Sequence, residues 1–116
     1  MIVGKPVSLL LQRRNATVTM CHSRTRDLAG LCRGADVIVS AVGRPRLVTR
    51  DWVRPGAAVI DVGVTEVDGE IVGDVDTEAV RGVAALVTPH RRGVGPMTIT
   101  MLLKNTLLAY QQRTGA

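Results

Sequence analysis

Met1-Ile2-Val3-Gly4-Lys5-Pro6 runs directly into the apolar helical pattern of Val7, Leu10 and Leu11. A glycine turn that opens a helix ordinarily follows a β-strand, and its backbone N–H groups then face a phosphate. In this sequence no strand precedes the turn. Near the other end, Gly93-Val94-Gly95-Pro96-Met97-Thr98 opens a second long helix. Together the two segments predict one dinucleotide-binding domain whose first strand is absent.

Working outward from Pro6, which suits a first helical position, the helical pattern ends at Asn15. Thr17-Val18-Thr19-Met20-Cys21 reads as a strand by alternation and β-branching. Residues 26–33 read as a short helix, capped by Thr25 and stopped by Gly34. Val37-Ile38-Val39-Ser40-Ala41 and Ala57-Ala58-Val59-Ile60-Asp61-Val62 are apolar runs of the kind that helices cover on both faces. Between them, Thr49 to Val53 reads as one capped helical turn, ended by Pro55-Gly56. Asp68-Gly69 predicts a hairpin turn within Glu66 to Val72. Asp76 can cap a helix over 77–81, and Ala84 to Val87 is a fourth short strand. In the last helix Ile99, Leu102, Leu103, Thr106, Leu107 and Tyr110 share a face at helical spacing. Strands and helices alternating in this way give an α/β fold, a Rossmann-like doubly wound parallel sheet, over residues 1–116 as a single domain.

Composition narrows the function classes. The chain has 116 residues, 46% hydrophobic but only 2% aromatic. An aliphatic, Val-rich core suits buried parallel strands and not the aromatic platforms that stack nucleic-acid bases. Net charge is +5, carried by thirteen arginines and two lysines scattered along the chain. No block of five or six like charges marks a nucleic-acid arm, so nucleic acid is not the expected partner. Cys21 and Cys32 fit no zinc or C-x-x-C spacing, and reduced thiols in a cytoplasmic protein are expected. No segment reaches the ~18 apolar residues of a membrane-spanning helix.

In open α/β sheets, ligands bind beyond the carboxyl ends of the strands. Those ends here are Cys21 to Thr25, Val42 to Pro45, Asp61 to Val64 and Thr88 to His90. An NAD-preferring fold places Asp or Glu at the second strand end, for the ribose hydroxyls. This chain has Ser23, Arg24 and Thr25 there, which suit a 2′-phosphate, so NADP is favoured over NAD. Equally, Ser23 and Thr25 can serve as helix caps. His22 and Cys21, as strand neighbours, point to opposite faces and are not read as metal ligands. Met97 and Met101 are expected in the core. Asp61 and Asp74 are assigned to capping and turn hydrogen bonds, not to acid–base chemistry.

Six short motifs then occur in order: Ile2-Val3-Gly4-Lys5-Pro6, Thr17 to Thr25, Ala35 to Gly43, Pro55 to Gly63, Gly73-Asp74-Val75-Asp76 and Gly93 to Thr98. In this the chain resembles the NADP-binding domain of the bifunctional methylenetetrahydrofolate dehydrogenase/methenyltetrahydrofolate cyclohydrolase family. The resemblance implies oxidation of 5,10-methylenetetrahydrofolate with NADP, or in some members NAD, followed by hydrolysis to 10-formyltetrahydrofolate. It implies cofactor contacts from Gly4, Ser23, Arg24, Gly43, Val64 and Thr98. Ser23 would lie near the 2′-phosphate with Arg24 as helper, and Val64 near the nicotinamide. Gly93 and Gly95 would belong to a loop between nicotinamide and folate, and the last helix would return towards the catalytic domain.

Two departures bear on activity. The family's catalytic lysine and its partners belong to an N-terminal folate-binding domain, so no catalytic residue is assigned in this chain and turnover alone is not expected. Folate would bind only with that domain supplied. A complementing N-terminal chain or a second copy are the partners this implies, and a non-catalytic nucleotide-binding or interaction module is the alternative. Second, Arg92 occupies a position where the family has glycine, which costs about 1–2 kcal/mol if the backbone there is left-handed.

Overall fold

The computed structural model describes residues 2–116. Helix α1 spans Gly4–Gln12, α2 Leu28–Arg33, α3 Thr77–Arg81 and α4 Val94–Thr114. Strands are β1 (Val37–Ser40), β2 (Ala58–Asp61), β3 (Thr65–Val67), β4 (Glu70–Val72) and β5 (Leu86–Val87). β1, β2 and β5 form one parallel sheet in that order, and β3 and β4 an antiparallel hairpin. Val37 pairs with Ala58 and Ala58 with Leu86, so the three parallel strands begin level.

Local chemistry accounts for most element ends. Asn15, at φ 64°, turns the chain after α1, a conformation its short polar side chain tolerates. The Asp76 carboxylate caps α3 by accepting from the Ala79 N–H at 3.2 Å. Asp68 (φ 52°) and Gly69 (φ 81°) both adopt positive φ, as a two-residue hairpin turn of matching twist requires. The turn at Arg50–Trp52 is a single 3-10 turn after Thr49, whose hydroxyl bonds the Asp51 carboxylate and caps no backbone N–H.

Three further expectations fail, each for a physical reason. Residues 17–21 join no sheet, because β-branching favours a strand only where a neighbour offers a ladder, and none of the described strands pairs with them. Helix α2 starts at Leu28, and its cap is Asp27, whose carboxylate accepts from the Gly30 N–H at 3.1 Å. Thr25 instead closes the preceding turn, accepting from the His22 N–H at 2.9 Å. Met97 and Met101 lie outside the core: α4 buries no residue, and Leu102 and Leu103 are 65% and 67% exposed.

The core sits on one face of the sheet. Ile38, Val48, Val53, Ala57, Val59, Val75 and Val80 are buried together, an aliphatic and mostly valine cluster. On the other face Val37 and Val39 of β1 remain 54% and 36% exposed, although apolar runs of this kind ordinarily have both faces covered. The radius of gyration, 15.9 Å, exceeds the ~13 Å of a compact domain of this length. With so much apolar surface uncovered, the isolated chain is expected to unfold with a midpoint below about 50 °C. A circular-dichroism melt checks this, and a sharp transition well above that temperature contradicts it.

Candidate functional site

The carboxyl ends of the parallel strands are joined by two buried aspartates. Asp74, fully buried, follows the hairpin and turns its carboxylate towards the end of β1. Its Oδ2 accepts from the Ser40 hydroxyl at 3.2 Å, the Val42 N–H at 2.7 Å and the Gly43 N–H at 3.3 Å. Its Oδ1 accepts from the Arg44 N–H at 3.0 Å. Asp61, at the end of β2, accepts from the N–H groups of Gly63 (2.9 Å), Asp74 (3.0 Å) and Val75 (3.1 Å). Its own N–H donates to the Thr88 hydroxyl at 2.8 Å, which ties in the end of β5.

Neither carboxylate forms an ion pair among the described residues. Each is held by several donors, the arrangement that permits a charge to be buried. Two glycines make room for it: a Cβ on Gly63 would overlap the Asp74 carboxylate, and one on Gly73 that of Asp61. The assignment to capping and turn hydrogen bonds holds only for Asp61 with the Gly63 N–H two residues on; every bond that Asp74 accepts comes from the end of another strand. Their joint role, bridging residues some thirty apart in the chain, is not visible in local sequence. A lone acid closing an apolar strand, followed by glycine, was the available signal.

This frame positions several of the sequence-derived candidates. Gly43 has φ 71°, and a Cβ there would meet nothing, so its backbone faces open space. Val64 follows the Asp61-held Gly63 and is exposed. Gly93, where a Cβ would overlap the Pro89 carbonyl, leads into α4, and Gly95 in its first turn faces open space. The Thr98 hydroxyl is turned back onto the Val94 carbonyl at 3.2 Å. These residues follow the ends of three adjacent strands, and open backbone at Gly43 and Gly95 leaves room for a cofactor to approach.

Gly4, Ser23 and Arg24 belong to a different part. Gly4 opens α1, and Ser23 and Arg24 are exposed in a tight turn. There Thr25 N–H donates to the His22 carbonyl at 2.9 Å and Arg24 N–H to His22 Nδ1 at 3.1 Å. Among the described residues, every hydrogen bond made by residues 2–26 closes within that stretch. Cys32 has its thiol pushed up by burial and further by Cys21, so it stays protonated near neutral pH. No metal-holding group of three His, Cys, Asp or Glu side chains occurs among the described residues. Among them, too, no helix is long and apolar enough to cross a membrane.

Residues 1–114 match the family model of the tetrahydrofolate dehydrogenase/cyclohydrolase NAD(P)-binding domain. The chain belongs to this family. It is 60% identical over 114 residues to bifunctional protein FolD 2 of Frankia casuarinae, covering 98% of this chain and 40% of that protein. Bifunctional protein FolD of Caldicellulosiruptor saccharolyticus is 59% identical over 116 residues, covering 98% and 42%. Among solved structures, the FolD methylenetetrahydrofolate dehydrogenase/cyclohydrolase of Campylobacter jejuni superposes with a TM-score of 0.93 at 45% identity. That superposition covers 97% of this chain and 40% of the other. The Trypanosoma brucei enzyme, crystallised with NADP and an inhibitor, gives 0.91 at 47% identity, covering 99% and 42%. The chain thus spans about two-fifths of the length of the relatives it matches. It is an NAD(P)-binding domain with a Rossmann-like fold.

Two substitutions probe this frame. Asp74→Asn, which replaces a charged acceptor facing four donors, is expected to destabilise by about 2–4 kcal/mol. It should also release the Val42 and Arg44 amides to hydrogen exchange; unchanged exchange there contradicts the bracing role. Arg92, in the loop ahead of α4, has φ 57°, the left-handed backbone that strains a residue with a side chain. Arg92→Gly is expected to raise stability by up to about 1 kcal/mol, the relief being partly offset by the entropy of a glycine. A denaturant midpoint that falls instead would show that the arginine side chain holds this loop.

Proposed function

We propose that this single domain is the cofactor-binding portion of an NADP-dependent methylenetetrahydrofolate dehydrogenase/methenyltetrahydrofolate cyclohydrolase of the cytoplasm. Turnover then requires the remaining portion of the family's architecture. The observation that carries the NADP reading is the turn at His22–Thr25, which presents the Ser23 hydroxyl and the Arg24 guanidinium to solvent with no carboxylate in the turn itself. A guanidinium and a hydroxyl favour a 2′-phosphate, whereas a carboxylate there would favour the free ribose hydroxyls of NAD. The NADP in the Trypanosoma brucei structure supports the same choice.

In this reading Gly4 and the Ser23–Arg24 turn hold the adenosine side, and Gly43, Val64 and Thr98 line the nicotinamide side. Gly93 and Gly95 carry the loop that faces folate. The cofactor supplies a hydride acceptor. The chain's own contribution is to fix its position, since two substrates react only when held together at near-attack geometry. No residue here is assigned to proton transfer on folate. That work falls to the portion of the relatives outside the match.

A second reading, a non-catalytic nucleotide-binding module, is favoured by one observation: the left-handed Arg92, which places a long cationic side chain where a glycine would leave the folate-facing loop open.

The test supplies, as a separate polypeptide, the part of the Frankia casuarinae protein that the match does not cover. The mixture is expected to reduce NADP in the presence of methylenetetrahydrofolate, measured by NADPH absorbance, whereas this chain alone is not. Arg24→Ala in the mixture should raise the Kd for NADP about tenfold and leave that for NAD unchanged. A stable mixture that binds NADP without turnover would favour the non-catalytic module. Equal loss for both cofactors would remove the 2′-phosphate role of Arg24.

A further inference from the structure

The loop between β5 and α4 gathers positive charge at one strand end. The Asp61 N–H donates to the Thr88 hydroxyl at 2.8 Å, and the Thr88 N–H to the Val59 carbonyl at 3.0 Å. The chain therefore leaves β5 beside the stretch that carries Val64. It then folds back on itself, since a Cβ on Gly93 would overlap the Pro89 carbonyl. His90, Arg91 and Arg92 form the tip of this short loop, and both arginines are exposed.

Their charge is not balanced locally. Neither arginine forms an ion pair among the described residues. From Ala79 to Ala116 the sequence has no Asp or Glu, and α4 accordingly has no acid in its first turn. The carboxylate tied to this strand end, that of Asp61, is committed to the N–H groups of Gly63, Asp74 and Val75. Asp74 is committed in the same way to the end of β1.

A nicotinamide cofactor changes its charge at one place only. Reduction adds a hydride to the ring and turns a cationic pyridinium into a neutral dihydropyridine. The phosphates, riboses and adenine keep the charges they had. A fixed cation beside the ring therefore repels the oxidised form and not the reduced one. A cation further along the cofactor acts on phosphates that both forms share, and discriminates little between them.

We propose that Arg91 and Arg92 make the site select the oxidation state of its cofactor, holding NADPH in preference to NADP+. This rests on the reading of Val64 and Thr98 as the nicotinamide side. The loop starts at the strand end beside Val64 and leads into the helix that carries Thr98, so its two cations stand on the ring's side of the site. Arg24 stands on the other side, in a turn read as facing the 2′-phosphate. For exposed charges about 8 Å from the ring, each arginine contributes roughly a threefold difference, and the pair up to about tenfold. Tighter binding of the reduced form makes the bound cofactor a stronger hydride acceptor by the same factor, because the two equilibria are linked.

The test measures two dissociation constants on the full chain at low salt and about pH 8, where an imidazole is uncharged. NADPH is followed by its fluorescence, and NADP+ by its displacement of NADPH. The Kd for NADP+ should exceed that for NADPH by about five- to tenfold. Arg91→Gln and Arg92→Gly should each lower this ratio about threefold, and the double variant should bring it near one. Glycine suits the backbone of Arg92 at φ 57°, and circular dichroism confirms the fold of each variant. Should Arg92→Gly disturb the loop, Arg91→Gln at its exposed position carries the test. Arg92→Lys keeps the charge and should keep the ratio. Added salt should compress it. Arg24→Ala should weaken both forms together and leave the ratio unchanged. A ratio of one or less in the chain itself, or one that the double variant does not alter, would overturn the inference and leave the proposed function standing. Equal loss of both forms in the Arg91 and Arg92 variants would overturn it as well, by setting the loop against the phosphates. Binding of neither form would remove the cofactor reading itself, and this inference with it.

Discussion

The frame of this molecule depends on a buried carboxylate that no cation among the described residues balances. Asp74 is held by three backbone N–H groups and one hydroxyl, and it fixes the chain leaving β1 as firmly as a ladder would. Removing a carboxylate from water is costly unless nearly every lone pair finds a donor. The loop from Val42 to Arg44 therefore has one conformation compatible with burial of Asp74, and Gly43 at φ 71° is part of it. Asp61 repeats the arrangement one strand over and links to the first through the Asp74 N–H. The two glycines opposite the carboxylates are constrained for the same reason, since any side chain there would displace an oxygen.

This brace makes the two halves of the candidate site unlike in kind. The half around Gly43 and Val64 is set by contacts internal to residues 36–88. The half around Gly4 and Ser23 depends on a stretch whose hydrogen bonds among the described residues all close within it. Pre-organised sites lose little entropy on binding, and unanchored ones lose more. The contrast arises from where the long-range hydrogen bonds fall and not from the ligand-facing residues themselves, which are small or exposed in both halves.

Much of this was legible in the sequence wherever the signal was local. Asp68-Gly69 determines a turn through the φ values it tolerates, and Asp76 caps α3 three residues ahead of its partner N–H. The apolar runs at Val37–Ser40 and Ala58–Asp61 announce parallel strands by length and branching. What failed was non-local. Residues 17–21 have the composition of a strand, but a strand exists only through its neighbour. Asp27 displaced Thr25 as a cap because it accepted a left-handed backbone, a choice composition does not force. The periodicity of Ile99, Leu102, Leu103 and Leu107 announces helix α4 correctly, but Met97, Met101 and Leu108 make the opposite side apolar too, and the helix buries neither. For the candidate site, motif order located the glycines and the Ser23–Arg24 turn. The aspartate brace joining strands thirty residues apart had no local signature.

Helix α4 carries a further implication for the chain in a cell. Twenty-one residues of regular helix present leucines, isoleucine and methionines to water. Chaperones and proteases recognise uncovered apolar surface of this kind, and marginally stable chains are continuously sorted by them. A chain with such a helix uncovered is expected to be drawn more readily into that sorting than one whose apolar helices are packed.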